Sequence, residues 1–182
     1  MQGMTRTESR WVLLMTMAIL GIGIWGVLRL GNRLNPSPAS IELLNAVQKR
    51  ISIHLVQGVA GSRVEVEPIN TATEMIVSES SKTGAGELFY KLEKMPAIEG
   101  KEIARVEEKP DEFGRSLLEV ELSAEGAARF ETFTRLHVGK QAAIVDNGST
   151  VISAPVIQSV ISGGRLQIYG MTAKDLLPAT KP

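Results

Sequence analysis

The sequence predicts an α+β protein: an N-terminal transmembrane helix, then one mixed domain in which helices pack on a sheet. Three observations predict it. Residues 11–28, WVLLMTMAILGIGIWGVL, carry no charge. Beyond residue 50, short segments alternate apolar and polar residues at the period of strands. Residues 124–138 instead place apolar side chains at helical spacing. The charge divides in the same way. The 182 residues hold 20 Lys+Arg and 20 Asp+Glu, yet residues 1–40 sum to +3 and residues 41–182 to −3. No basic stripe points to a nucleic-acid partner. The absence of cysteine removes disulfides, thiolate metal sites and thiol nucleophiles from consideration.

Residues 1–10 read as a cytoplasmic tail and residues 11–28 as a membrane anchor. As a helix the 18 uncharged residues extend about 27 Å, close to the roughly 30 Å of a hydrocarbon core. Arg10 and Arg29 flank the run, and Trp11 and Trp25 lie near its ends, where indole rings favour the interface. A cleaved signal peptide fits less well, because the best small-residue site, Ser37-Pro38-Ala39, is distant and contains proline. A short tail before a single span is expected to stay inside, with the remainder exported. Gly21, Gly23 and Gly26 match a G-x-G-x-x-G pattern, but no strand precedes them and an apolar span offers no phosphate site. Residues 29–40 form a Pro/Asn/Ser linker.

Ser40 is expected to cap a helix over 41–50, with Ile41, Leu44 and Val47 as its stripe and Leu43 alongside. ISIHLVQ (51–57) predicts a half-buried strand, and RVEVEPI (63–69) a second, joined as a hairpin around Gly58 and Gly61. Residues 70–86 read as a loop. Strands follow at 87–93, 103–108 and 116–122, the last two separated by the turn cluster KPDEFG. Ser123 is the expected N-cap of the 124–138 helix, whose apolar side comprises Ala124, Ala127, Phe130, Phe133 and Leu136. KQAAIV (140–145) and TVIS (150–153) flank an Asp-Asn-Gly turn. RLQIYG (165–170) is the last strand, with Leu166 and Ile168 inward, and Thr172 and Asp175 mark a final short helix stopped by Pro178.

Catalytic apparatus is sparse. His54 and His137 lack the local carboxylate spacing of a metal site and read as structural. Glu107, Glu108, Asp111 and Glu112 read as a solvated turn without the spacing of a calcium loop. Neither G-x-S-x-G nor S-x-x-K occurs. Asn147-Gly148-Ser149 matches a glycosylation sequon but is explained by the hairpin. Lys140 and Arg165 flank strands where an acidic partner could meet them. The expectation is therefore no enzyme, no catalytic residue, no metal site and no cofactor.

Ordered motifs between about residues 98 and 177 resemble the head subdomain of the first periplasmic domain in SecD and SecDF protein-export proteins. LLEVELSAEGAARFETFT (117–134) is similar to that family's strand, acidic-Gly-Ala and aromatic helix. VGKQAAIVDNGSTVISAPVI (138–157) resembles its Gly-Lys, apolar strand, Asp-Gly hairpin and Ser-Ala-Pro-Val-Ile, with one extra residue after the turn. ISGGRLQIYGMTAKDL (161–176) resembles its Gly-Gly, strand and closing helix. On this reading residues 98–182 are the head-like part, and 41–97 are a helix and strands of uncertain family that replace or abbreviate the family's base subdomain.

The resemblance implies an exported module on the cytoplasmic (inner) membrane. It would bind emerging polypeptide and assist translocation or envelope protein handling, without being a proton-driven pump itself. The implied partners are exported polypeptide and translocation-channel components, with the lipid bilayer met through residues 11–28. The alternative is an envelope structural or docking module with no translocation role.

Overall fold

In the computed structural model, residues 37–79 and 87–177 are described. The expected anchor at 11–28, most of the linker and the Pro178 stop lie outside them. Among the described residues no helix is long and apolar enough to cross a membrane.

Helix α1 runs Pro38–Arg50, three residues earlier than the expected start at 41, so Ser40 lies inside it rather than capping it, and it buries Leu43 and Val47. Ile41, expected on the stripe, is exposed, because the buried line runs through Leu43 and Val47 at i, i+4. Strand β1, Ile51–Ala60, follows directly. The strand and hairpin expected over 63–69 are overturned: Arg63–Val66 form a single helical turn, α2, which buries Val66 and leaves Val64 exposed. The loop expected over 70–86 contains β2, Glu74–Glu79, and β3 is Leu88–Glu93.

A two-residue β4, Ile98–Glu99, leads through a 3-10 turn, Gly100–Glu102, into β5, Ile103–Pro110, and β6, Ser116–Leu122. Helix α3 is Ala124–Leu136, and the Ser123 side chain caps it by accepting the Gly126 N–H. It ends two residues before the expected 138, and Leu136 is 72% exposed rather than on the packed side. β7 (Ala142–Asp146) and β8 (Thr150–Ser153) form the expected hairpin. Asn147 and Gly148 turn it at φ 52° and 64°, the positive values a tight hairpin turn requires. β9 is Arg165–Tyr169, and the capping box of Thr172 and Asp175 opens α4, Ala173–Leu176.

Five strands close on themselves. β1 pairs antiparallel with β7 through Ile51–Leu55 and, on its other edge, with β3 through Val56–Ala60. β3 pairs with β2, β2 runs parallel to β8 through Ser78 and Glu79, and β8 pairs with β7. The ring β1-β3-β2-β8-β7 is a small barrel, its interior filled by Val56, Val77, Tyr90, Leu92, Ala143, Val145 and Val151. β4 pairs with β1 at Ser52 and Ile53, beside the stretch that β3 occupies.

Over Ile51–Val56, β1 is therefore buried on both faces, not half-buried as its alternation predicts. Its polar partners Ser52 and His54 share the barrel-side face with Val56, opposite Val145 and Ala143 of β7. The outer wall, Ile51, Ile53, Ala142 and Ile144, joins a second core with Leu43 and Val47 of α1, Phe130 of α3, and Leu118, Val120 and Ile168 from a three-stranded antiparallel sheet, β5-β6-β9.

Polar contacts fix the helices on this core. Arg50 donates to both oxygens of Asp146, at 2.8 and 2.6 Å, and to the carbonyl of Asp175 at 2.9 Å, tying α1 to the β7–β8 turn and α4. Hydrogen bonding to Asp146 raises the Arg50 pKa, against the effect of burial. Buried Glu102 accepts the Glu99 N–H and one Arg129 nitrogen, at 2.8 and 2.9 Å, which seats α3. Gly126 makes this approach possible, since a Cβ there would lie 3.0 Å from Glu102 Cβ.

Candidate functional site

The chain between β8 and β9 makes the site. β8 stops at Ser153, pairing continues only as the Gln141–Val156 bridge and the Ala142 N–H donating to Pro155 O at 3.0 Å, and the following residues run irregularly to Gly164. They are held by backbone bonds from Ile157 N–H to Lys140 O at 2.8 Å and from Gly139 N–H to Ile157 O at 2.9 Å. The buried hydroxyl of Thr134 accepts the Ile161 N–H at 3.0 Å. Suspended this way, Pro155–Ser159 stands across from β9 and leaves a cavity of about 560 Å³ between them.

The floor is apolar: Ile53, Ala142 and Ile144 from the barrel wall, Phe130 from α3, and Ile157. Leu166, Ile161 and Val156 continue it to the rim, where Val156 is 43% exposed. Polar groups are confined to Glu119, Arg165, Gln167, Gln158 and Ser159. Glu119 is held by Lys109, which also reaches Glu107 at 3.1 Å. The hydrogen bond to Glu119 raises the Lys109 pKa, against the effect of burial. A cleft with an apolar floor and a few polar rim groups suits apolar side chains better than a charged metabolite.

The residues singled out in the sequence fall mostly elsewhere. His54 lies within the barrel wall, with Nδ1 2.8 Å from the Glu93 carbonyl and Nε2 2.9 Å from Ser52 Oγ. Burial pushes its pKa down, so the neutral ring donates from Nδ1 and accepts the serine hydroxyl. His137 ends α3, with Nδ1 2.8 Å from Phe133 O and its ring 4.9 Å from that of Phe133. Burial pushes Glu107 upward, but hydrogen bonds from Lys109 and Arg105 outweigh it and hold the carboxyl below its usual range. Asp111 accepts the N–H groups of Phe113 and Arg115, each at 2.8 Å, and shapes the β5–β6 turn. Of the two cations, Arg165 borders the cavity, whereas exposed Lys140 lies outside its lining. Among the described residues no group of three or more His, Asp or Glu is placed to hold a metal.

An exposed apolar groove or sheet edge is what a polypeptide-binding module is expected to offer, but the sequence does not pick out the lining of this one residue by residue. Its signal was the stretch APVIQSVI (154–161), apolar enough for a core yet broken by proline and lacking a strand or helix period.

The family model described as "SecDF, P1 head subdomain" matches residues 73–176, more than half of the chain and nearly all of the cavity lining. The chain belongs to the SecDF P1 head subdomain family. The match begins before residue 98 and takes in β2 and β3, so this head region includes two barrel strands from the stretch of uncertain family.

Protein translocase subunit SecDF of Thermus thermophilus is 38% identical over 80 residues, covering 44% of this chain and 11% of that protein. Protein translocase subunit SecD of Aquifex aeolicus is 34% identical over 126 residues, 69% of this chain and 24% of that one. A solved structure of SecDF, described as a membrane component that enhances protein export, superposes with a TM-score of 0.51 at 25% identity. That superposition covers 73% of this chain and 60% of that one. The chain spans less than a quarter of the length of those two translocase subunits.

Proposed function

We propose that this P1 head module binds extended polypeptide outside the cytoplasm and so assists protein translocation or envelope protein handling, tethered to the membrane through residues 11–28. The observation that carries the reading is the apolar cavity between Pro155–Ser159 and β9, within the family-matched region. An unfolded chain in transit exposes apolar side chains, and an apolar cleft with a polar rim takes them up without requiring a particular sequence. The described similarity to a SecDF that enhances protein export supports the same direction.

The test is a photo-crosslinking side chain at position 156, in cells exporting one defined secretory precursor arrested part-way. The expected product is a crosslink to that precursor. Crosslinks to lipid alone, with none to the precursor, would overturn the reading. A topology reporter fused after Pro182 checks the compartment, and cytoplasmic activity of that reporter would reverse the assignment.

A further inference from the structure

The two edges of the three-stranded sheet are built differently. β5 has a register irregularity between Ile103 and Arg105, ends in Pro110, and carries Arg105, Glu107, Glu108 and Lys109. Bulges, prolines and charges are the devices that keep an edge from pairing with another chain. β9 has none of these except Arg165: it pairs with β6 over five consecutive residues without irregularity and contains no proline.

The hydrogen-bond phase shows which groups β9 leaves open. Leu122 N–H donates to Gly164 O at 2.8 Å, so 122 and 164 are a hydrogen-bonded pair. In an antiparallel ladder such pairs alternate, which makes Val120–Leu166 and Leu118–Ile168 the next bonded pairs. The N–H and C=O groups of Arg165 and Gln167 then point away from β6. Among the described residues no strand pairs with that side of β9. Leu166, on one face of β9, and Arg165 and Gln167, on the other, line the same cavity, which puts this open edge at its mouth.

Building on the polypeptide-binding reading above, we infer that the occupant is an extended segment that joins the sheet as a fourth strand beside β9. Its backbone would bond the N–H and C=O groups of Arg165 and Gln167, while alternate side chains enter the cavity over Ile144, Phe130 and Ile157. Recognition of this kind takes its affinity from main-chain bonds and asks only for apolar residues at every second position. It therefore suits a site that must accept many sequences.

The test uses the full-length chain and a fluorescein-labelled ten-residue peptide of alternating valine and serine with a lysine at each end, followed by anisotropy. Two further peptides carry backbone N-methyl groups, on the valines in one and on the serines in the other. Strand addition predicts that one methylated series binds at least tenfold more weakly, while the other stays within about twofold of the parent. It also predicts that Gln167→Pro, which removes an outward N–H, weakens the parent peptide at least fivefold at unchanged melting temperature. If the parent binds and both methylated series match it, strand addition is overturned and side-chain binding in the cavity stands. If the parent peptide does not bind at all, the polypeptide-binding reading fails and strand addition with it.

Discussion

The barrel and the three-stranded sheet use the same kind of strand to opposite ends. In the barrel every ring strand has neighbours on both sides, and its interior is sealed by Leu92, Val145 and Val151. The sheet keeps two edges, one guarded by charge and proline and the other bare beside a cavity. Closure removes reactive backbone and supplies rigidity. The open sheet keeps the hydrogen-bonding groups that an incoming chain needs. The wall shared by both, Ile53, Ala142 and Ile144, lets the rigid part serve as the floor of the adaptable one.

The sharpest way to break the contrast is to empty the barrel. Leu92 is 0% exposed inside it, so Leu92→Ala should cost about 3.5 kcal/mol, near the middle of the range for buried leucines. Urea unfolding followed by circular dichroism measures this directly. Next in size is Gly164→Ala, at the start of β9. A Cβ there would lie 2.6 Å from Ala127 Cβ, at a φ of +63°. A loss of about 2 kcal/mol is expected, with the β9 edge displaced and peptide binding weakened in the same variant.

A smaller effect, confined to the barrel, should follow pH. His54 has its pKa lowered by burial from 6.5, so the folded state disfavours the imidazolium. The stability this contributes is complete above pH 6.5, the unfolded value, and is lost as pH falls through the lower folded value. Melting temperature should therefore fall as pH drops below 6.5, and the part due to this ring should vanish in His54→Gln. An unchanged slope in that variant would remove His54 from the account. The smallest stability change is expected at the cavity rim. Val156→Ser should alter unfolding free energy by no more than about 0.5 kcal/mol while reducing peptide affinity severalfold. That pairing of outcomes is the reverse of Leu92→Ala, where stability is lost first.

Much of the fold is legible wherever a local signal decides it. Ser123 caps α3, Asn147-Gly148 turns the β7–β8 hairpin, and β6 occupies Ser116–Leu122 because chemistry within a few residues suffices. The misses come from tertiary context. EMIVSE (74–79) sits among Thr, Ser and Gly residues, and it is a strand because β3 and β8 pair with its two edges. The Val-Glu alternation at 63–66 imitates a strand but occupies one helical turn, with only Val66 buried. The cavity was illegible for a related reason. Its floor collects Ile53, Phe130 and Ile144 from three distant places, and its far wall has no regular period.

The parallel contact between β2 and β8 has a consequence in time. Ser78 meets Thr150 across 72 residues of chain, a closure whose entropic cost is about 4 kcal/mol in the simplest loop model. At ordinary rates of synthesis, β2 would exist for about 4 to 14 s before its partner strand has been made. During that interval Val77 and the edge around it have no neighbour on the side that β8 will take. The ring should thus be among the last parts of the fold to form, and the newly made module passes through an open, strand-seeking state of the kind proposed for its client.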